Sequence, residues 1–90
     1  MLKPVYTKTF KKERKLARKR GRDLDKLDEV IRMIAAEQPL PPHYENHPLH
    51  GKWKGWLECH VQGDWVLVYE IDKAAQKVVF QRTGSHADLF

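Results

Sequence analysis

Glu58-Cys59-His60-Val61-Gln62-Gly63-Asp64-Trp65-Val66-Leu67-Val68-Tyr69 is the stretch that decides the fold. From Trp65 to Ile71 the residues are almost all apolar or aromatic. Because they do not alternate with polar residues, they read as a central strand buried on both faces. Gln62-Gly63-Asp64 is a turn signal, and the segment before it, ending in His60-Val61, is also strand-like. The hairpin therefore lifts one histidine and one carboxylate to the edge of a stiff hydrophobic platform. The rest of the chain is expected to cover that platform on one side and complete a reactive site on the other.

The flanking elements follow from periodicity. Leu2 to Tyr6 is short and β-leaning, and Pro4 suits an edge strand. Thr7 or Thr9 can cap a helix with Phe10, Ala17 and Leu16 as its apolar positions, ended by Gly21. Asp23 or Asp25 caps a second helix, whose stripe is Leu24, Leu27, Val30, Ile31 and Ile34. Gln38-Pro39 stops it, since a residue before proline is pushed out of the helical region. Pro39 to Pro48 is a proline-rich loop carrying His43, Tyr44 and His47.

Gly51 to Val61 alternates like a strand. Trp53, Leu57, Cys59 and Val61 are expected on one face, against the helices; Lys54, Trp56, Glu58 and His60 fall on the other, open face. Asp72 to Gln76 is a turn and Lys77 to Arg82 a last strand, leaving a tail too short for another sheet element. The expected order is β-α-α-β-β-β. This is a small single α+β domain over residues 1–90, with an antiparallel sheet and a two-helix hairpin packed on one face.

Composition narrows the function. Ninety residues, 41% hydrophobic, suit one small globular domain. One cysteine, Cys59, excludes an internal disulfide framework. No apolar run approaches the roughly 18 residues that span a bilayer, and Met1-Leu2-Lys3-Pro4 lacks a signal-peptide core, so a cytoplasmic location without membrane contact is expected. The net charge is +5, and nine of the seventeen Lys and Arg fall between Lys8 and Arg22 beside one acid, Glu13. Such self-repelling charge favours a polyanionic partner: nucleic acid, a ribosome or an acidic protein. The residues expected to meet it are Lys8, Lys11, Lys12, Lys15, Arg18, Lys19 and Arg22.

All five histidines lie beyond position 42. His43, His47 and His50 are spaced for a metal on a helix, but prolines interrupt the loop and one thiol is available, so no metal is expected. Acid–base work fits better. His47, His60, Asp64, Arg82 and His86 lie near strand ends or in flanking loops. Histidine exchanges protons near neutral pH, and arginine can hold a phosphate bidentately. One base, one acid and one fixed cation suffice to cleave RNA through its own 2′-hydroxyl. Trp65 is either core or a stacking surface for a base, and Trp56 is the ring expected on the open face.

Three blocks, His47-Pro48-Leu49-x-Gly51-x-Trp53-Lys54-Gly55, Cys59-His60-Val61-x-x-Asp64-Trp65-x-Leu67-x-Tyr69 and Arg82-Thr83-Gly84-Ser85-His86-x-x-Leu89-Phe90, resemble the YafQ branch of the RelE/ParE toxin superfamily. The resemblance is close over the C-terminal half and one of layout over the helices. It implies a ribosome-dependent mRNA endonuclease, the toxin of a type II toxin–antitoxin pair, with a cognate antitoxin, the ribosome and mRNA as partners and no cofactor. It also implies that His47, His60, Asp64, Trp65, Arg82, His86 and Phe90 occupy the active-site positions. Leu57 departs from the pattern where this branch often has an arginine, so a phosphate contact is either missing or supplied by Lys52 or Lys54.

The mechanism expected from these residues has His47 or His60 as base, His86 as acid, Arg82 stabilising the phosphate and Asp64 orienting a histidine, with the base and acid labels exchangeable among the histidines. Two other readings are a binding-only superfamily member that poisons a protein such as gyrase, and a non-catalytic basic RNA-binding module.

Overall fold

The computed structural model describes all residues, Met1–Phe90. Its first strand, β1 (Lys3–Tyr6), leads into the helices α1 (Lys8–Lys19) and α2 (Leu24–Ala35). After the proline-rich loop come β2 (His47–Pro48), β3 (Leu57–Gln62), β4 (Trp65–Asp72), β5 (Lys77–Ser85) and a one-turn helix α3 (His86–Leu89). Thr7 caps α1: its hydroxyl oxygen accepts the Phe10 amide at 2.9 Å and its hydroxyl donates to the Gln81 carbonyl at 3.0 Å. Asp23 caps α2 by accepting the Asp25 amide at 3.0 Å.

The five strands form one sheet in the order β1-β5-β4-β3-β2. β2 to β5 pair antiparallel, as the hairpin signals imply, while β1 joins β5 in parallel and makes the sheet mixed. β4 is central and its first five residues, Trp65 to Tyr69, are all buried. Trp65, Leu67 and Tyr69 meet the helix stripes of Phe10, Ala17, Leu27, Val30, Ile31 and Ile34. Val66 and Val68 point the other way and are covered by Leu89 with Trp56 and Leu49. No helix is long and apolar enough to cross a membrane.

Three expectations about the last forty residues need correction. Gly51 to Val61 is not one strand: Gly51–Trp53 makes a 3-10 turn, and pairing begins only at Leu57. Gly51 and Gly55 both have positive φ, 67° and 97°, which interrupts any extended run. Trp53 consequently leaves the helix-facing side and meets Phe90 edge-on, 5.0 Å between ring centroids. The tail is not too short for the sheet, because β5 continues through Thr83, Gly84 and Ser85 against Leu67, Val66 and Trp65.

β5 also carries a bulge. Val68 pairs with Arg82 and Tyr69 with Phe80, so Gln81 is an extra residue. Alternation that sends Val78 and Phe80 to the helices would send Arg82 there too. The extra residue re-aims Arg82 to the opposite face, beside Val68.

Cys59 lies in the helix-side core with 0% exposure, and burial, aided by the Glu58 charge, pushes its thiol up to about 12. At pH 8 the folded protein should therefore resist Ellman's reagent until denaturant is added. Stoichiometric labelling of the folded protein would contradict the burial of Cys59.

Candidate active site

Directly paired residues on neighbouring strands share a sheet face. His47 pairs with Glu58, Glu58 with Val68, and Val68 with Arg82. These four form one row across β2, β3, β4 and β5, roughly 14 Å long at the usual strand spacing. The next row is His60, Val66 and Gly84. At Gly84 a Cβ would sit 3.3 Å from Leu89 Cδ2 and 3.5 Å from Asp88 Cβ. Glycine there lets α3 fold back across the sheet.

The start of α3 is a capping box. Asp88 donates its amide to Ser85 Oγ at 3.1 Å, and Ser85 returns its own amide to Asp88 Oδ2 at 3.3 Å. Arg20 adds a contact at 3.0 Å, and these hydrogen bonds, with Ser85 foremost, hold the Asp88 carboxyl below its usual range. The result is a fixed turn that carries His86 and Phe90 back over the histidine face.

His86 meets there a residue that sequence reasoning had put on an open face without a role. Glu58 is 1% exposed. Its Oε1 accepts from His86 Nε2 at 2.9 Å and lies 3.5 Å from His47 Nε2. Asp64, on the exposed turn, approaches the other nitrogen of His86, with Nδ1 3.6 Å from Oδ1. A doubly protonated His86 ring finds a carboxylate on each side. The His60 ring is 5.6 Å from that of His86. The signal for Glu58 was its alternation with His60 along one strand; alternation gives a face but not a depth.

The remaining contacts distinguish the histidines. His60 Nδ1 lies 2.8 Å from the Gly63 carbonyl, and His47 Nδ1 lies 2.7 Å from the Glu45 carbonyl. A carbonyl only accepts, so both Nδ1 atoms carry the proton and a neutral ring leaves Nε2 with its lone pair. His47 directs that nitrogen at Glu58, whereas His60 faces the neighbouring ring of His86. The His43 ring lies 4.1 Å from that of Tyr44, tilted by 37°, and takes no part in the cluster.

Other expected site residues are dispersed. Arg82 shares the sheet face, but Glu13 grips its guanidinium, with Nε at 3.1 Å and Nη2 at 2.6 Å. That hydrogen bonding raises the Arg82 pKa. Trp65 is no stacking surface: it is 0% exposed and its indole N–H donates to Thr83 Oγ1 at 2.9 Å. Trp56 is half-buried on Val66, Val68 and Leu89 rather than open. Phe90 is 47% exposed and 5.7 Å from the His86 ring, so it remains beside the site. Lys52 lies over the Trp53 ring at 4.8 Å, and Lys54 is exposed. Leu57 packs against the helix-side core, away from the histidine face.

The basic helix divides in two. Lys8, Lys11, Lys12, Lys15, Arg18 and Lys19 recur at three- and four-residue intervals, all exposed and none in an ion pair. Arg14 is bound to Asp28, and Arg22 covers the Trp65 ring at 5.3 Å, so Arg22 does not belong to the open stripe.

A metal site did not emerge from the loop histidines. One donor atom each from Glu58, His60 and His86, however, lie within 4.8 Å of one another, close enough to bracket one cation. The same two histidines are the groups that proton transfer would use.

Residues 2–90 match the family of bacterial toxins of type II toxin–antitoxin systems, YafQ. Over 87 residues the chain is 42% identical to the mRNA interferase toxin YafQ of Escherichia coli strain K12, spanning 94% of this chain and 91% of that protein. The crystal structure of a metal-bound toxin from Helicobacter pylori aligns over all of both chains at 43% identity, with a TM-score of 0.94. The toxin in the E. coli DinJ–YafQ complex aligns over 100% of this chain and 99% of its own at 40% identity, with a TM-score of 0.89. The fold is thus shared with solved relatives along the whole chain, and the protein belongs to the YafQ family of type II toxins.

Proposed function

We propose that the protein is an mRNA interferase, an endoribonuclease acting on ribosome-bound message and held in check by a cognate antitoxin. The observation that carries this reading is the convergence of His60, His86 and Glu58 on one side of the sheet. His60 Nε2 takes the proton of the substrate 2′-hydroxyl. The 2′-oxygen then bonds to phosphorus, the bond to the 5′-oxygen breaks, and His86 gives that oxygen a proton. The products are a 2′,3′-cyclic phosphate and a free 5′-hydroxyl. Glu58 and Asp64 orient His86, His47 lies beside Glu58, and Arg82 meets charge developing on the phosphate. Phe90 offers an exposed ring beside His86, and Lys52 stands over the Trp53 ring that meets Phe90 edge-on. Work on ribosomes gives a cytoplasmic location.

A metal-dependent reading competes, because two histidines and a glutamate can also bind a catalytic zinc ion. The H. pylori relative was solved with metal bound. In our reading a cation at Glu58, His60 and His86 takes the lone pairs that move protons, so it inhibits. Ribosome contact is assigned to the stripe of Lys8, Lys11, Lys12, Lys15, Arg18 and Lys19, which has the charge pattern of a phosphate-facing surface.

Replacing Lys11, Lys15 and Arg18 by glutamate should weaken ribosome binding and flatten its log–log salt slope by about three, roughly one per lost phosphate contact. An unchanged slope removes the stripe from the interface. Because His86 satisfies a buried carboxylate, His86→Gln is a better probe than His86→Ala: the amide can still donate to Glu58 but cannot act as the acid. It should lower cleavage by about two to four orders of magnitude while the melting curve moves little. Full cleavage by folded His86→Gln protein would end the acid assignment.

Cleavage should also persist in excess EDTA, on ribosomes stabilised with a polyamine, and fall when zinc is added. It should stop on a message carrying one 2′-deoxy nucleotide at the scissile position. Loss of activity in EDTA favours the metal reading, and cleavage of the deoxy substrate means that water attacks.

A further inference from the structure

Glu13 is the single acid between Lys8 and Arg22, and it is mostly buried, its side chain 16% exposed. Its Oε1 accepts the backbone amide of Thr83 at 3.2 Å as well as Arg82 Nε, and its Oε2 accepts Arg82 Nη2. Thr83 is itself fixed, accepting the Trp65 indole N–H and donating its hydroxyl to the Val66 carbonyl at 2.9 Å. The carboxylate is therefore anchored to the backbone of β5 and, through Thr83, to the central strand. Arg82 is the freer partner: its side chain is 37% exposed and its Nη1 has no partner within the protein.

We propose that Glu13 is a positioning residue, which holds the Arg82 guanidinium so that its open edge meets the scissile phosphate. This rests on the ribonuclease reading above. A planar fork held at two nitrogens on one side can turn only its remaining edge to a phosphate. Without that grip the long arginine arm would sample many rotamers. The bulge at Gln81 brings Arg82 to the correct face, and Glu13 fixes its angle there.

A simple charge effect has the opposite sign. Glu13 is a negative charge beside a polyanion's path, so neutralising it should tighten RNA binding on electrostatic grounds alone. A lock that keeps Arg82 out of the site would likewise be released by neutralisation, and cleavage would speed up. Positioning instead separates the constants: turnover falls while KM stays level or drops.

Glu13→Gln keeps the volume and one acceptor oxygen. In ribosome-dependent cleavage of mRNA it should lower kcat by roughly ten- to hundred-fold, the scale of a small misplacement of a reacting group, with KM unchanged or lower. In an Arg82→Ala background the same change should cost nothing further. In the wild-type protein the Arg82 Nε–H resonance should exchange slowly with water at neutral pH, a readout independent of any variant's folding.

Wild-type or faster turnover in folded Glu13→Gln, an equal loss in the Arg82→Ala background, or a freely exchanging Nε–H would each overturn the proposal. If Arg82→Ala itself cleaves normally, Arg82 loses its role in the ribonuclease reading and Glu13 loses its own with it. If Arg82→Ala is crippled while Glu13→Gln is not, only the positioning role of Glu13 falls.

Discussion

The site depends on one buried carboxylate. Glu58 sits in the middle of a sheet face at 1% exposure, where an unpaired charge would be costly. Its nearest partners come from opposite ends of the C-terminal half: His86 from the last turn, 2.9 Å away, and His47 from the proline-rich loop, whose Nε2 donates only when that ring is doubly protonated. The paired carboxylate therefore ties two irregular segments to a regular strand. A buried carboxylate left without a partner is unfavourable, so the histidines around Glu58 also satisfy the fold. His47 and His86, both roughly half-exposed, keep an open side toward solvent.

That arrangement needs the sheet to be covered unequally. On the helix side, α1 and α2 bury Cys59, Leu67, Tyr69 and Phe80 completely or nearly so. On the other side the cover is small: Leu89, Trp56 and Leu49 over Val66 and Val68. A one-turn helix has little stability of its own. Here it is held by the capping box of Ser85 and Asp88, the space left by Gly84, and the seat of Leu89. Each is a local feature, and together they aim His86.

Much of this was legible in the sequence, for identifiable reasons. The uninterrupted run from Trp65 to Tyr69 did mark a strand buried on both faces, and the stripe Leu27, Val30, Ile31 and Ile34 did face the core. His47, His60, Asp64 and His86 do gather at one end of one face. The failures share a cause: periodicity gives direction only while regular structure continues. The glycines at 51 and 55 break the register between Trp53 and Leu57, so Trp53 went to the wrong side. The bulge at Gln81 inverts alternation in β5, and no residue type announces it. Trp65 looked equally suited to core or site, and its burial is set by the Thr83 hydroxyl on the neighbouring strand. Glu58 was on the expected face, but its depth depends on a tail expected to be too short for another sheet element.

Hydrogen-bond partners set which ring nitrogen of each histidine is bare, so the tautomer of His60 is the most direct test. Long-range 1H–15N NMR of the folded protein reads both ring nitrogens at a pH where His60 is neutral. The expected spectrum has the proton on Nδ1, donated to the Gly63 carbonyl, and a bare Nε2 ready to accept from the 2′-hydroxyl. A His60 ring protonated on Nε2, with Nδ1 bare, would contradict the assigned base.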